Sequence, residues 1–503
     1  MNTTSEGTPS TESQRTEAIE GNVAVEKTTE YALEQRKRLK KVLRPRDLIL
    51  FATSGIIGID TIAQSSVNGV QTIFWVVFSC VFFAIPYAFI AAEMGSTYVK
   101  NGGLYVWIKE AYHPYVASLL TFMYWISNPI WMASLAVEAV SVMEGLAGAK
   151  WSTTTEWVIA LLLIWLVALM EITYLNVGKW LPNIGAVIKV VLLLSVGGLA
   201  IGMVASSGHA ANSFAFSQFL PTKAVAVSYL PVLMYQWQGF ELQSNAAQEM
   251  VNPKRDVPIA ILWSAILSAA AYTLGVLGLL LVIPLKQMSN VSGLFDAFRT
   301  MLPHSAWTGL FAVLIIIGML ASGATWLLGV DRAFAASGYD GNIPRFLGHF
   351  HPKFGTPDVV AIVGASISTL FLTMQLFLQG SLGAAYQILL YMAVLAGTAP
   401  YLFMFPALLI FRKRYPNIHR PFQIPGGIVG AWVCVVIGLL WIVFSFVFSF
   451  LPEGLATTPS TVFEIVVGVI ISLAISTVLY LLAAPGRRKQ VVVSLVEDSD
   501  SSI

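Results

Sequence analysis

The stretch Ser54-Gly55-Ile56-Ile57-Gly58-Ile59-Asp60 decides how this chain is read. It sets two glycines and a carboxylate in the middle of an apolar run that extends from 48 to 70. Glycine weakens a helix and an ionised group is costly in hydrocarbon, so an ordinary lipid-facing helix avoids both. A second stretch repeats the flaw: Tyr235-Gln236-Trp237-Gln238-Gly239-Phe240-Glu241, inside the apolar run 226 to 248.

Outward from these two stretches, apolar runs recur at 74 to 97, 114 to 145, 157 to 176, 182 to 205, 258 to 284, 307 to 335, 358 to 380, 384 to 411, 428 to 451 and 462 to 484. Each is long enough to cross about 30 Å of hydrocarbon as a helix, which satisfies its own backbone there. The expectation is an all-α polytopic membrane protein of twelve spans. Composition agrees, with 56% of the 503 residues hydrophobic and 11% charged. That charged share is less than half the roughly 25% of a soluble domain. A net charge of +2 gives no reason to expect a nucleic-acid partner. Cys80 and Cys434 both fall in apolar runs, which leaves no disulfide framework or metal-ligand spacing, and no cofactor is expected.

The location of the charges sets the orientation. Arg36, Lys37, Arg38, Lys40, Lys41, Arg44 and Arg46 precede the first run, and Arg487, Arg488 and Lys489 follow the last. With both ends in the cytosol, the inner loops hold Lys100, Lys109, Lys179, Lys254, Arg255, Arg332, Arg345, Lys353, Arg412, Lys413, Arg414 and Arg420. The outer loops hold only Lys150, Lys223, Lys286 and Arg299. Basic residues in short loops stay inside, so this asymmetry supports cytosolic termini and a plasma or inner membrane location. Residues 1–40 read as a disordered tail, 41–486 as the transmembrane domain and 487–503 as a short tail.

The flawed spans stand five apart, so the chain divides into repeats 48–205 and 226–411 with matching breaks, followed by peripheral helices at 428–484. Glycine-interrupted helices in corresponding positions point to a solute site between inverted repeats. A break frees N–H and C=O groups that protein or solute must satisfy, and the two helix ends favour an anion and a cation respectively. The competing explanation, glycines that merely allow close helix packing, accounts less well for two breaks that each carry a carboxylate.

These residues resemble the amino acid, polyamine and organocation superfamily of secondary transporters. The resemblance covers roughly residues 45 to 485. It is carried by Gly55-Ile56-Ile57-Gly58; by Glu93-Met94 leading to Gly102-Gly103-Leu104-Tyr105-Val106-Trp107; and by Gly239-Phe240-Glu241 with Glu249 and Asn252-Pro253-Lys254-Arg255-Asp256-Val257-Pro258. A further block runs from Arg332 through Asp340-Gly341-Asn342-Ile343-Pro344 to Thr356-Pro357. The Tyr-Val-Trp block is similar to both glutamate/GABA exchangers and polyamine permeases. The resemblance implies a leucine-transporter-like five-plus-five inverted repeat with spans one and six broken. The solute would lie among Ser54, Gly55, Ile56, Ile57, Gly58 and Asp60 of span one, and Tyr235, Trp237, Gln238 and Gly239 of span six. Tyr124 and Asn128 of span three and Trp326 of span eight would form its walls, with Tyr235 as an outer aromatic gate.

Lys189 lies well inside the fifth span, where insertion costs about 2.5–3.5 kcal/mol unless it meets a partner or cavity. By the resemblance it stands where sodium binds in sodium-coupled relatives, which implies sodium-independent transport. Glu241 is either the proton-responsive group or a structural cap for freed backbone. Asp60 departs from the small neutral residues that many amino acid carriers keep there. It either attracts an amine or pairs with Lys189. Glu138, Glu144 and Glu171 read as span-end residues within reach of water. The expected function is sodium-independent carriage of amino acids, cationic ones included, by proton coupling or exchange. The alternatives are a polyamine or organic-cation permease and, from another class, a substrate-sensing receptor or channel. No enzymatic motif rises above chance. The outer loop 146–156 contains no cysteine, so no disulfide-linked partner chain is expected.

Overall fold

A computed structural model of the chain describes residues 24–28, 30–37, 43–100, 102–173, 180–379, 382–451, 459–487 and 491–495. The tail residues 1–23 and 496–503, Lys179, and the basic residues Arg38, Lys40, Lys41, Arg488 and Lys489 lie outside the described residues.

The interruption at 57–59 divides the first apolar run into α1 (Pro45–Ile56) and α2 (Asp60–Ser66), bent by 41°. The following helices are α3 (Gln71–Thr97), α4 (Pro114–Ala147), α5 (Thr153–Thr173) and α6 (Trp180–Ser207). The sixth run begins as α7 (Lys223–Gln236), loses helical form at Trp237 and resumes as a 3-10 turn, Leu242–Glu249. Then come α8 (Pro253–Val282), α9 (Ala306–Tyr339) and α10 (Asp358–Gln379). The tenth run is two pieces, α11 (Leu382–Thr398) and α12 (Tyr401–Arg414). Pro400 stands between them, where it has no N–H to continue the ladder. The chain finishes with α13 (Gly427–Ser449) and α14 (Pro459–Leu482). Among the described residues nine helices are long and apolar enough to cross a membrane, or ten with the bent pair as one span.

Large apolar side chains face outward as well as inward, as a lipid solvent allows, and the largely apolar interior encloses several charged groups. Leu162, Trp165 and Leu169 of α5 and Val429 and Trp432 of α13 are exposed, while Asp60, Glu93, Glu138, Lys189 and Glu241 are buried. α4 runs through the centre against α9, α10 and α11, and α8 packs along α1 and α6. The buried carboxylate Glu93 is matched by Arg412, at 2.5 Å, and Glu249 by Arg332, at 2.6 Å.

Two features depart from an all-helical chain with a plain tail. Strand β1 (Ala24–Thr28) pairs antiparallel with β2 (Val491–Leu495), whose Val-Val-Val sequence suits extended backbone. A short helix, Glu30–Arg36, follows β1, and Gln35 accepts the Phe350 N–H at 2.9 Å, docking the segment onto the loop after α9. Leu43 donates to the Glu249 carbonyl and accepts from Val251, which ties the entry to α1 to the end of the sixth run.

Candidate functional site

The break after α1 leaves its last carbonyls without helical partners, and side chains from three other helices satisfy them. Lys189 of α6 donates to the Ser54 carbonyl at 2.5 Å and lies 3.3 Å from the Ser54 hydroxyl. Trp326 Nε1 of α9 donates to the Gly55 carbonyl at 2.7 Å. The Tyr272 hydroxyl of α8 stands 2.5 Å from the Ile56 carbonyl and 3.0 Å from the Gln236 carbonyl, and accepts the Gly58 N–H at 2.8 Å. One hydroxyl therefore touches both breaks. Such satisfaction is what permits irregular backbone within a bilayer.

The second break needs Gly239. Its φ is +114°, and a Cβ there would come within 3.3 Å of both the Gly55 backbone carbon and the Trp326 ring. The two interruptions thus face each other in near backbone contact. Between them lies a cavity lined by Gly55, Ile56, Gly58, Asp60, Thr61, Trp131, Tyr235, Gln236, Gln238, Tyr272 and Trp326. Its volume is 20 Å³, room for about one water. A solute of several heavy atoms does not fit within it as it stands.

Asp60 is 1% exposed. Its Oδ2 accepts from Trp131 Nε1 at 2.9 Å, its carbonyl accepts from Tyr386 at 3.0 Å, and Oδ1 has no hydrogen-bond partner among the described residues. No ion pair joins it to Lys189, whose ammonium is committed to Ser54. The two groups nonetheless lie within electrostatic range of each other, so the ammonium faces the Asp60 carboxylate without a direct ion pair.

Of the residues expected to surround a solute, Gly55, Ile56, Gly58, Asp60, Tyr235, Gln238 and Trp326 line the cavity. The others serve nearby positions. Ser54 Oγ lies 2.9 Å from Thr325 Oγ1, and Ile57 is fully buried. Trp237 turns away, donating to Ser79 at 2.8 Å with its ring 5.3 Å from Tyr272. Asn128 spends its amide on the Tyr124 carbonyl one turn back, at 2.9 Å. Tyr124 donates to Glu241 at 2.5 Å, joined there by Tyr401 at 2.9 Å and by Tyr87. Glu241 therefore binds three helices through tyrosine hydroxyls behind the cavity wall, and Gly239 forms the close approach without lining the space.

Trp131, Tyr272 and Gln236 were not anticipated. Trp131 follows Asn128 by three residues and so shares its face of α4, a signal that was present in the spacing. Tyr272 is a polar ring in an otherwise apolar run, and nothing in its neighbours indicates two partners 36 and 214 residues away. The carboxylates read as span ends need correction. Glu138 is nine residues short of the end of α4 and 1% exposed, and Glu171 is 1% exposed and faces Asp331. Packing by neighbouring helices, not distance along the chain, decides their access to water. Glu144 does sit at a helix end, where it accepts from Lys150 and from the Trp151 N–H.

A family profile described as amino acid permease matches residues 43–482. A probable agmatine/putrescine antiporter of Lactococcus lactis subsp. lactis (strain IL1403) is 29% identical over 417 residues, covering 80% of this chain and 88% of its own. A glutamate/gamma-aminobutyrate antiporter of the same strain is 23% identical over 398 residues, 76% of this chain and 78% of that one. A branched-chain amino acid permease of Bacillus subtilis (strain 168) is 25% identical over 461 residues, 82% of this chain and 93% of that one.

Proposed function

The chain belongs to the amino acid permease family, within the amino acid, polyamine and organocation superfamily, and on that premise we propose that it carries an amine or a cationic amino acid independently of sodium. It is a multi-pass membrane transporter and not an enzyme. The carrier would have twelve spans, the first ten forming a leucine-transporter-like inverted repeat, with both termini in the cytosol of a plasma or inner membrane. The facing breaks support that arrangement, since solute sites between such repeats are built from discontinuous helices.

One observation carries the choice of solute: the Asp60 carboxylate lines the cavity with Oδ1 unpartnered while the neighbouring Lys189 is held by Ser54. An anionic socket favours an ammonium group and repels a carboxylate. The Gly58 N–H, which could otherwise meet a solute carboxylate, already donates to Tyr272. Lys189 supports sodium independence, because its ammonium takes a carbonyl at the end of α1 that would otherwise attract a free cation. Glu241 is the candidate for proton coupling, since it is fully buried next to the second break.

Counterflow in liposomes tests the reading. Purified protein preloaded with putrescine, agmatine, arginine or glutamate should exchange labelled amine, with the same rate when choline replaces sodium. Exchange of glutamate alone, or accumulation that requires sodium, would refute it. Ion conductance without stoichiometric solute flux would favour a channel.

A further inference from the structure

We propose that a second cavity, at Arg345, holds the phosphate of an anionic phospholipid whose acyl chain lies along α14. This site shares no lining residue with the cavity between the two breaks.

A space of about 330 Å³ opens between residues 341–345 of the loop after α9 and residues 482–485 at the end of α14. That volume falls within the range of about 300–1,000 Å³ usual for small-molecule sites. Among the described residues Arg345 is the one charged side chain in its lining, and no acid accompanies it. Its Nε is buried without a hydrogen-bond partner, and its guanidinium makes no ion pair among the described residues.

Other arginines near this end of the bundle are differently placed. Arg332 is matched by Glu249 and Arg412 by Glu93, while Arg414 donates to the Glu110 and Ala111 carbonyls. Arg44, Arg46 and Arg255 are exposed, where water hydrates them. Asp340, five residues before Arg345, is held by Lys109 at 2.5 Å. A guanidinium with a hidden N–H and no counter-ion favours an anion with several acceptor oxygens, and phosphate matches its planar donors two at a time.

Two observations favour a lipid over a free anion. The mouth of the space is apolar, with Leu482 65% and Phe346 60% exposed, and Tyr480 packs edge-on against Tyr115 at 5.1 Å just before it. Tyrosines gather at the boundary between membrane and water. In addition, Ile471, Ile475, Val478 and Leu482 of α14 are all exposed, at a spacing that makes one continuous stripe. The stripe runs about 16 Å along the helix axis, close to the depth of one leaflet, half of about 30 Å. Its far end enters a crevice of about 510 Å³ whose walls include Ile471 and Ile475, Leu370 and Met374 of α10, and Met392 of α11. A phosphate at Arg345 thus has an apolar track leading from it to a crevice that accepts the end of its chain. Basic pockets between helices at a membrane face bind such head groups.

Native mass spectrometry and thermal unfolding of the full chain in detergent, titrated with phosphatidylglycerol, phosphatidylcholine or inorganic phosphate, test the site. Phosphatidylglycerol should be retained about fivefold more than phosphatidylcholine, the worth of one arginine near anionic lipid, and should raise the thermal midpoint. Arg345→Gln should bring the ratio close to one without lowering the lipid-free midpoint, and Arg345→Lys should keep part of it. Leu482→Glu, which sets a like charge at the mouth, should also bring the ratio close to one. Equal retention of both lipids by the wild type, or a preference that survives either Arg345→Gln or Leu482→Glu, overturns the proposal. Stabilisation by inorganic phosphate equal to that by phosphatidylglycerol, and lost in Arg345→Gln, overturns the lipid as occupant in favour of a free anion.

Discussion

Among single residues, those at the two breaks differ in whether their polar atoms are satisfied or left open. Asp60 has one carboxylate oxygen on Trp131 and one free, so Asp60→Asn should weaken amine binding at least tenfold with expression intact, measured by competition against a labelled amine. Trp326→Phe keeps an aromatic wall but strands the Gly55 carbonyl. The expected cost is about 1–3 kcal/mol, the penalty for a buried acceptor without a donor. It would be read as a lower thermal midpoint, and an unchanged midpoint would show that another donor takes over. Part of this was legible beforehand: a carboxylate and two glycines inside an apolar run are visible in any reading of 54–60. Trp237 and Asn128 were legible as polar groups in the right spans, but not as groups turned toward Ser79 and Tyr124. Direction about a helix axis is set by which neighbour offers the better hydrogen bond, and that neighbour comes from elsewhere in the chain.

At the scale of elements, the broken spans were readable because their composition conflicts with a continuous helix. The 41° bend between α1 and α2 and the loss of helix after Gln236 follow that conflict. Gly239 is the tightest point, combining φ +114° with backbone approach to Gly55. Gly239→Ala should therefore introduce about 1–3 kcal/mol of backbone strain, and solute turnover should fall further than the amount of folded protein recovered by size-exclusion chromatography. The interruption between α11 and α12 was not anticipated, although Pro400 marks it. Thr398 and Tyr401, on either side, reach Gln238 and Glu241, so this third irregularity joins the same wall. Glu138 was misplaced for an elemental reason as well. A residue nine positions from a helix end is near water only if no other helix covers it; α4 packs against α9, α10 and α11, and Glu138 is buried.

At the scale of the whole molecule, the hydropathy of the chain predicts a helical bundle in lipid, and the many large apolar side chains on its outer surface agree. The number of spans is less readily fixed, since broken and short helices fall outside simple measures of length. Two buried arginine–carboxylate pairs among the described residues join separate helices, and removing one partner should cost more than removing both. Arg332→Met alone should destabilise by about 3–5 kcal/mol, whereas combination with Glu249→Met should recover much of that loss, as seen in chemical unfolding. Equal losses in the single and double variants would contradict it. Tyr272 gives the largest-scale consequence. Its lone hydroxyl proton serves either the Ile56 or the Gln236 carbonyl at one moment, while its oxygen holds Gly58. Any rocking that draws the first and sixth runs apart to admit cargo forces that proton to choose a side. One side chain of α8 thus ties the two interrupted runs to each other, and their separation cannot leave all three of its hydrogen bonds intact.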